Sequence, residues 1–349
     1  MILVADGMEH GAWSIGRNRV IFAAVILLTW GCQQAPEYAE INGFTQGTTY
    51  HIVVEKNPDL DLMALRQEIE EAFTAIDNSL SIYNDSSVIS CINDNRSDVT
   101  DTLFRDIFRL SALVSQQSGG LFDITVGPLV EAWGFGPDAL KRFDASKLDS
   151  LLALVGMEKL HLEGDRIIKA LPGMFIDVNA IAQGYTVDVV AGLLVSEGID
   201  QCLVEVGGEV RTVGDKNGDG WRVGIDTPAD GNYMPGADLQ ATIRIDDRSL
   251  ATSGNYRKFY IENGIKYSHT INPHTGYPVR HTLLSATIIS PEAAVADAWA
   301  TACMVAGKDS AASIIEGHDF LEGYLIYSDD NGGMKSWVSD GLKSLIEEL

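Results

Sequence analysis

The sequence predicts an α+β fold in which helices pack against a long antiparallel series of strands. Three observations lead to this prediction. After residue 200, short strand-like segments follow one another up to residue 290. Between two of them, Asn263-Gly264 is a strong signal for a type I′ hairpin turn. Segments with helical periodicity are interspersed with this series but do not alternate with single strands, which argues against a doubly wound fold.

Periodicity and turn residues place the individual elements. Helices are predicted over residues 60–80, 102–118, 144–155, 180–197, 290–307 and 309–316. Strands are predicted over residues 41–55 (one strand with a glycine-rich kink at 43–47), 159–162, 166–170, 175–178, 202–206, 209–213, 221–226, 239–245, 249–253, 256–262, 265–271, 283–290, 323–327 and 333–338. Residues 81–93 and 120–136 are predicted to be loops. With no internal repeat and no second linker, residues 41–349 are predicted to form a single domain.

The composition is that of a soluble globular protein, with 46% hydrophobic and 21% charged residues in a chain of 349. The net charge is −24 and the pI is near 4.5. A surface this acidic repels nucleic acid and anionic lipid, so no nucleic-acid partner is expected. A phosphate-rich ligand would need a local cation in order to bind.

The N-terminus resembles a bacterial lipoprotein signal. Arg17 and Arg19 precede an apolar run over residues 20–30, which is too short to span a bilayer but suits a secretory signal. Gly31-Cys32 follows, so we expect a lipoprotein-type signal peptide over 1–31, a lipid on Cys32 and a tether over 32–40. This predicts lipid anchoring on the periplasmic side of a bacterial membrane. An uncleaved signal anchor, or cleavage elsewhere, remains open.

Three further cysteines, Cys91, Cys202 and Cys303, are far apart and form no CxxC pair. This spacing argues against a zinc site. Cys202 and Cys303 lie in apolar runs and are predicted to be buried thiols. Whether two of the three form a disulfide is left open.

The helix predicted over residues 290–307 carries the most informative pattern. Ser290 and Pro291 form a helix start signal, and the residues that follow are mostly small or apolar. Asp297 and Thr301 are four residues apart and therefore share one face. With no Lys or Arg in this stretch, a hard cation such as Mg²⁺ would stabilise the buried carboxylate. The alternative is an Asp that bonds loop N–H groups, with a Thr bonded to its own helix.

Two other segments bring polar groups to the ends of predicted strands. In residues 176–188, Asp177 ends a strand, Asn179 can cap a helix and Gly184 permits close approach, an arrangement suited to a phosphate or ribose. An ordinary strand–helix junction is the alternative. In residues 267–278, His269 precedes a rigid turn and is either an acid–base group or a structural donor. The hydroxyls of residues 252–254 and the imidazole of His269 could together surround a ligand.

Residues 215–226 match a calcium-loop pattern, but they lie between predicted strands and not between helices. We therefore interpret them as a polar hairpin loop. Gly207-Gly208 is either a tight turn or a close backbone approach to a ligand.

In order and spacing, the motifs resemble the ApbE family, the FAD:protein FMN transferases, from about Gly43 to the end of the chain. The motifs are Gly43-x-Thr45-x-Gly47-Thr48-x-Tyr50, Ser81-x-Tyr83, Gly120-x-Phe122-Asp123-Ile124-Thr125-Val126-Gly127-Pro128-Leu129, Trp133-Gly134-Phe135-Gly136, Asp177-Val178-x-x-Ile181-Ala182-x-Gly184-Tyr185-x-x-Asp188, Val206-Gly207-Gly208, Trp221-x-Val223-Gly224-Ile225, Ala251-Thr252-Ser253-Gly254-x-Tyr256-Arg257, His269-x-Ile271-x-Pro273-x-Thr275-Gly276 and Ala296-Asp297-x-x-x-Thr301.

The resemblance implies an enzyme that splits FAD, transfers FMN onto a Ser or Thr hydroxyl of a partner flavoprotein and releases AMP. It also implies that Asp297, Thr301 and the backbone carbonyl of Ala180 hold Mg²⁺. Flavin and adenosine contacts would map to Gln46, Tyr83, Leu121, Phe122, Asp123, Asp177, Gln183 and the turn around His269, which includes Ile271. His269 is the candidate general base, with Asp177 or solvent as alternatives.

Several positions depart from the family pattern. Gln46 stands where Met is common and Gln183 where Lys is usual. Asn255 and Asn272 replace Asp, and Ala300 replaces a metal-binding Asp that some members carry. Two other functions remain open: a pyrophosphatase that cuts FAD to FMN and AMP, and a non-catalytic lipoprotein that binds FAD.

Overall fold

The computed structural model describes residues 36–135, 143–229, 236–256, 259–262, 265–329 and 331–349. The predicted signal peptide, the lipidation site Cys32, the motif residues Gly136 and Arg257 and the predicted Asn263-Gly264 turn lie outside the described residues.

Helices and strands alternate irregularly along the chain. The helices are α1 (Leu62–Leu80), α2 (Val88–Asn93), α3 (Thr102–Gln117), α4 (Gly127–Ala132), α5 (Leu148–Leu152), α6 (Ala182–Ser196), α7 (Ala293–Ala306) and α8 (Lys308–Glu316). The strands are β1 (Tyr38–Thr45), β2 (Thr48–Glu55), β3 (Leu160–Glu163), β4 (Arg166–Lys169), β5 (Cys202–Val206), β6 (Glu209–Val213), β7 (Trp221–Asp226), β8 (Leu239–Ile245), β9 (Ser249–Gly254), β10 (Phe259–Glu262), β11 (Ile265–Ser268), β12 (Leu283–Ser290), β13 (Glu322–Ser328), β14 (Met334–Val338) and β15 (Ile346–Glu348).

An eight-stranded sheet in the order β1-β2-β5-β6-β9-β12-β13-β14 organises the fold. Every neighbouring pair in it is antiparallel. A three-stranded sheet, β15-β8-β7, is also antiparallel, and β3–β4 and β10–β11 form separate two-stranded sheets. The antiparallel strand series and the packed helices confirm the predicted α+β class.

The two faces of the large sheet bury different partners. Tyr50 and Ile52 on β2 and Val204 on β5 belong to a buried cluster with residues of α1 and α6. Leu250 on β9 instead packs with Ile243 on β8, beneath the three-stranded sheet. Of the fourteen residues of α7, eleven are buried, because the helix lies against the sheet and α6. Within the described part of the chain, no helix combines the length and apolar content needed to cross a bilayer.

Several elements differ from their predicted form. Residues 41–55 form a hairpin and not one kinked strand, because Gln46 and Gly47 turn with φ of 50° and 75°. The predicted loops contain the short helices α2 and α4. The predicted strand 175–178 is absent, since its backbone groups pair outside any sheet: Ile176 bonds the side chain of Asn93, and the Asp177 N–H bonds the carbonyl of Ile124.

The three described cysteines are free thiols. Cys202 and Cys303 are buried, as predicted, and burial raises the pKa of each to about 12. Cys91 is half-buried, and the guanidinium of Arg96 lies 3.2 Å from its sulfur.

Candidate active site

The first turns of α6 cross the start of α7 and bring Gly184 to Asp297. The N–H of Gly184 donates a hydrogen bond to Oδ2 of Asp297 at 3.1 Å. A Cβ at position 184 would overlap the carbonyl oxygen of Ala293, so only glycine permits this crossing without rearrangement. The crossing therefore places a carboxylate of α7 directly against the N-terminal turn of α6.

Asp297 is 6% exposed. Burial raises its pKa to about 7, and the nearby charge of Asp188 adds to this shift, whereas the Gly184 N–H opposes it. One turn along α7, the hydroxyl of Thr301 lies 3.2 Å from the hydroxyl of Ser253 on β9. The alternative to a metal site is an Asp bonded to backbone N–H groups and a Thr bonded to its own helix. Asp297 does accept one backbone N–H, whereas Thr301 pairs with Ser253 on β9.

The predicted metal ligands fit a hard cation. The first hydrogen bond of α6 runs from the Tyr185 N–H to the Ile181 carbonyl, so the Ala180 carbonyl precedes the helix and lies outside its hydrogen-bond ladder. The described residues contain no cluster of three or more His, Cys, Asp or Glu side chains that could hold a metal. A carboxylate, a hydroxyl and a carbonyl are all oxygen donors, the class that Mg²⁺ prefers, and so few protein ligands leave positions for phosphate oxygens.

α7 is capped from another helix. It begins at Ala293, whereas Ser290 is the last residue of β12, so the predicted Ser290 cap is wrong. The carboxylate of Asp188 on α6 accepts the N–H groups of Ala293 and Ala294 at 2.9 and 2.8 Å. A side chain more than one hundred residues upstream therefore caps the helix, the role that the local sequence predicted for Ser290.

Tyr83 and Asp177 both interact with Asn179, which lies three residues before α6. The side chain of Tyr83 is 68% exposed. Its hydroxyl pairs with the side chain of Asn179, while partial burial and the nearby Asp177 charge raise the Tyr83 pKa. An exposed ring beside a carboxylate offers a flat surface and an acceptor to a ligand.

The segment with Leu121, Phe122 and Asp123 adjoins the same turn, because the Asp177 N–H bonds the carbonyl of Ile124 at 2.7 Å. Phe122 is 1% exposed and belongs to the core, whereas Leu121 is half-buried. The carboxylate of Asp123 accepts hydrogen bonds from Thr125 and from the Met157 N–H, and burial raises its pKa. The structure thus gives Asp123 a role in bracing this loop, and its contact with a ligand stays a prediction.

Two glutamines lie at the start of α6, Gln46 as a partner from the β1–β2 turn and Gln183 as a residue of the helix. The amide nitrogen of Gln46 donates to the hydroxyl of Thr186 at 2.9 Å. The side chain of Gln183 lies against Gly207, where a Cβ would overlap its amide nitrogen. The tip of the β5–β6 hairpin is therefore adjacent to the candidate site, and the glycine allows this close approach.

His269 and Ile271 belong to a second group. Ile271 is buried in an apolar cluster with Trp133, whose indole N–H donates to the carbonyl of Gly276 at 2.7 Å. The ring centroid of His269 lies 6.4 Å from that of Phe135. Nε2 of His274 lies 3.1 Å from the carbonyl oxygen of Gly119, which ties this turn to the segment leading to Asp123.

A groove of about 920 Å³ lies on the sheet face opposite α7. It is lined by Gly207 and Thr252 but not by Asp297, Thr301 or Ala180. We assign the candidate chemistry to Asp297 and not to the groove, because the buried carboxylate is the group that needs a cation.

The sequence prediction missed one residue of this arrangement. Asp188 belongs to a motif of the family, but the sequence assigns it no role. Its position four residues after Gly184, in a mostly apolar helix, is a usable signal, since the same spacing places Asp297 and Thr301 on one face of α7.

The ApbE family model matches residues 46–325. A FAD:protein FMN transferase of Vibrio cholerae is 34% identical over 95% of this chain and 100% of its own length. The FAD:protein FMN transferase of Escherichia coli strain K12 is 33% identical over 95% of this chain and 98% of its own length. The solved flavin transferase ApbE from Vibrio cholerae superposes with a TM-score of 0.79 at 32% identity, covering 89% of this chain and 99% of that one. A match of this extent, in sequence and in fold, shows that the chain belongs to the ApbE family.

Proposed function

We propose that this protein transfers FMN from FAD onto a Ser or Thr hydroxyl of a partner flavoprotein, releases AMP and depends on Mg²⁺. Relatives that match nearly its whole length are named FAD:protein FMN transferases. The observation that carries the proposal is the buried carboxylate of Asp297, held on the Gly184 N–H at the start of α6.

In this proposal Asp297, Thr301 and the Ala180 carbonyl would hold the cation. Bound Mg²⁺ would screen the pyrophosphate of FAD and stabilise charge on the departing phosphate. The chain's own task is to align the acceptor hydroxyl with the FMN-side phosphorus, so that the new P–O bond forms as the bond to the AMP phosphate breaks. His269 would take the hydroxyl proton, with Asp177 or solvent as alternatives.

We also propose lipid anchoring through Cys32 on the periplasmic side of a bacterial membrane. The supporting observation is the sequence from Arg17 to Cys32, a basic start, an apolar run and Gly-Cys.

The test is to incubate the purified protein with FAD and Mg²⁺, with and without a candidate acceptor. Covalent flavin fluorescence on the acceptor, with AMP released, supports transfer. AMP without labelling would identify a pyrophosphatase, and unchanged FAD bound to the protein would identify a flavin carrier. An acceptor whose target hydroxyl residue is replaced by Ala should stay unlabelled.

Replacing Asp297 with Ala should abolish Mg²⁺-dependent FMN transfer, because Asp297 supplies the only carboxylate among the three proposed metal ligands. Transfer is measured by acceptor fluorescence over a range of Mg²⁺ concentrations. The control is Asp309→Ala, which removes a 92% exposed carboxylate on α8 and should leave transfer unchanged. Full activity of Asp297→Ala would refute the metal assignment.

A further inference from the structure

Asp188 joins α6 to the first turn of α7. Its side chain is 15% exposed, and both of its oxygens accept N–H groups from α7. Glu292, the residue that precedes α7, makes no side-chain cap. Since the first N–H groups of a helix have no partner within it, Asp188 supplies the cap from outside.

The contacts between the two helices are matched in spacing. Asp188 lies four residues after Gly184 on α6, and Asp297 lies four residues after Ala293 on α7. Asp188 binds the start of α7, while the Gly184 N–H binds Asp297 one turn later. The two pairs therefore bridge one crossing, at which the backbone of Ala293 packs directly on Gly184.

Arg211 on β6 completes the arrangement. Its guanidinium lies 2.6 Å from Oδ1 of Asp188. This ion pair offsets the negative charge of Asp188 close to Asp297 and ties the crossing to the sheet.

We propose that Asp188 is a positioning residue for the candidate metal site. By capping α7 from α6 it keeps Asp297 on the Gly184 N–H, in the first turn of the helix that follows Ala180. The metal part of this inference rests on the proposed function. Residues that orient metal ligands typically change metal affinity by about 10–100-fold when they are replaced.

The test uses Asp188→Ala and Asp188→Asn in the otherwise unchanged protein. In metal-free protein, hydrogen exchange should accelerate in peptides covering residues 180–188 and 290–298. The effect should be smaller for Asn, whose carbonyl can still accept one of the two N–H groups. In thermal-shift titrations, the Mg²⁺ concentration for half-maximal stabilisation should rise about tenfold for Asp188→Ala.

The matched control is Asp61→Ala. Asp61 also accepts two backbone N–H groups, those of Met63 and Ala64, but it does so at the start of α1. Its loss should lower the melting temperature without changing the Mg²⁺ midpoint or exchange in residues 180–188.

Unchanged exchange in both peptides of Asp188→Ala, or an Mg²⁺ midpoint equal to that of Asp61→Ala, would overturn the proposal. If the wild-type protein shows no stabilisation by Mg²⁺, the metal proposal fails by itself. The exchange data then still decide whether Asp188 holds Asp297 in place.

Discussion

Single residues show how burial governs the charged groups of this protein. Asp297 and Asp123 belong to the candidate site, and Glu205 lines the groove on the other side of the sheet. Burial raises the pKa of all three, and backbone N–H groups oppose the shift in each case. A buried carboxylate lowers the free energy of unfolding when it is ionised, unless a bound ligand compensates for its charge.

Glu205 allows this cost to be measured away from the candidate metal site. Its pKa lies above the ordinary 4.5, first because of burial, whereas the Gly208 N–H and His51 lower it. Folded Glu205 thus holds its proton at pH values where the unfolded chain has lost it. The contribution of Glu205 to the free energy of unfolding therefore falls as the pH rises from the ordinary pKa of 4.5 through the pKa of Glu205 in the folded protein.

We expect Glu205→Gln to raise the free energy of unfolding at neutral pH and to have no effect below about pH 4, where both states are protonated. Urea unfolding at a series of pH values measures the difference. Glu347→Gln, at an exposed position, should show no such trend. If the gain in free energy of unfolding from Glu205→Gln became smaller as the pH rises, the folded protein would favour the ionised form of Glu205.

At the scale of elements, the crossing of α6 and α7 assembles the candidate site. Local sequence predicted both helices to within three residues at each end, because apolar periodicity and turn residues are local signals. It could not predict the crossing, which depends on contacts between residues far apart in the chain. The same limit explains the errors at 175–178 and at Ser290, where Asn93 and Asp188 supply the partners.

Gly184→Ala tests the crossing. The new Cβ would overlap the Ala293 backbone, so we expect a loss of roughly 1–3 kcal/mol in the free energy of unfolding. Gly192→Ala is the matched control, since it lies on the same helix with nothing within 4 Å of the new atom. That change should stabilise the protein by up to about 1 kcal/mol. Equal effects in urea unfolding would show that the two helices do not meet closely at Gly184.

At the scale of the whole molecule, the sequence predicted the fold class and the family but not the spatial grouping of the site. The α+β class followed from the strand series, and the family followed from motifs spread over the chain. The structure adds that Gln46, Gln183 and Asp297 meet at one helix start, while His269 and Ile271 belong to a turn packed on Trp133. Only the folded sheet brings such distant segments together, so no local pattern carries that information.

The unequal burial of the thiols offers a way to follow unfolding without introducing a probe. At neutral pH a maleimide should modify the half-buried Cys91 of the native fold and spare Cys202 and Cys303, which are fully buried and whose pKa burial raises to about 12. Denaturation exposes both, and each unfolded chain then takes up two more labels among the described cysteines. The mass distribution of labelled chains across a denaturant series would therefore count unfolded molecules directly.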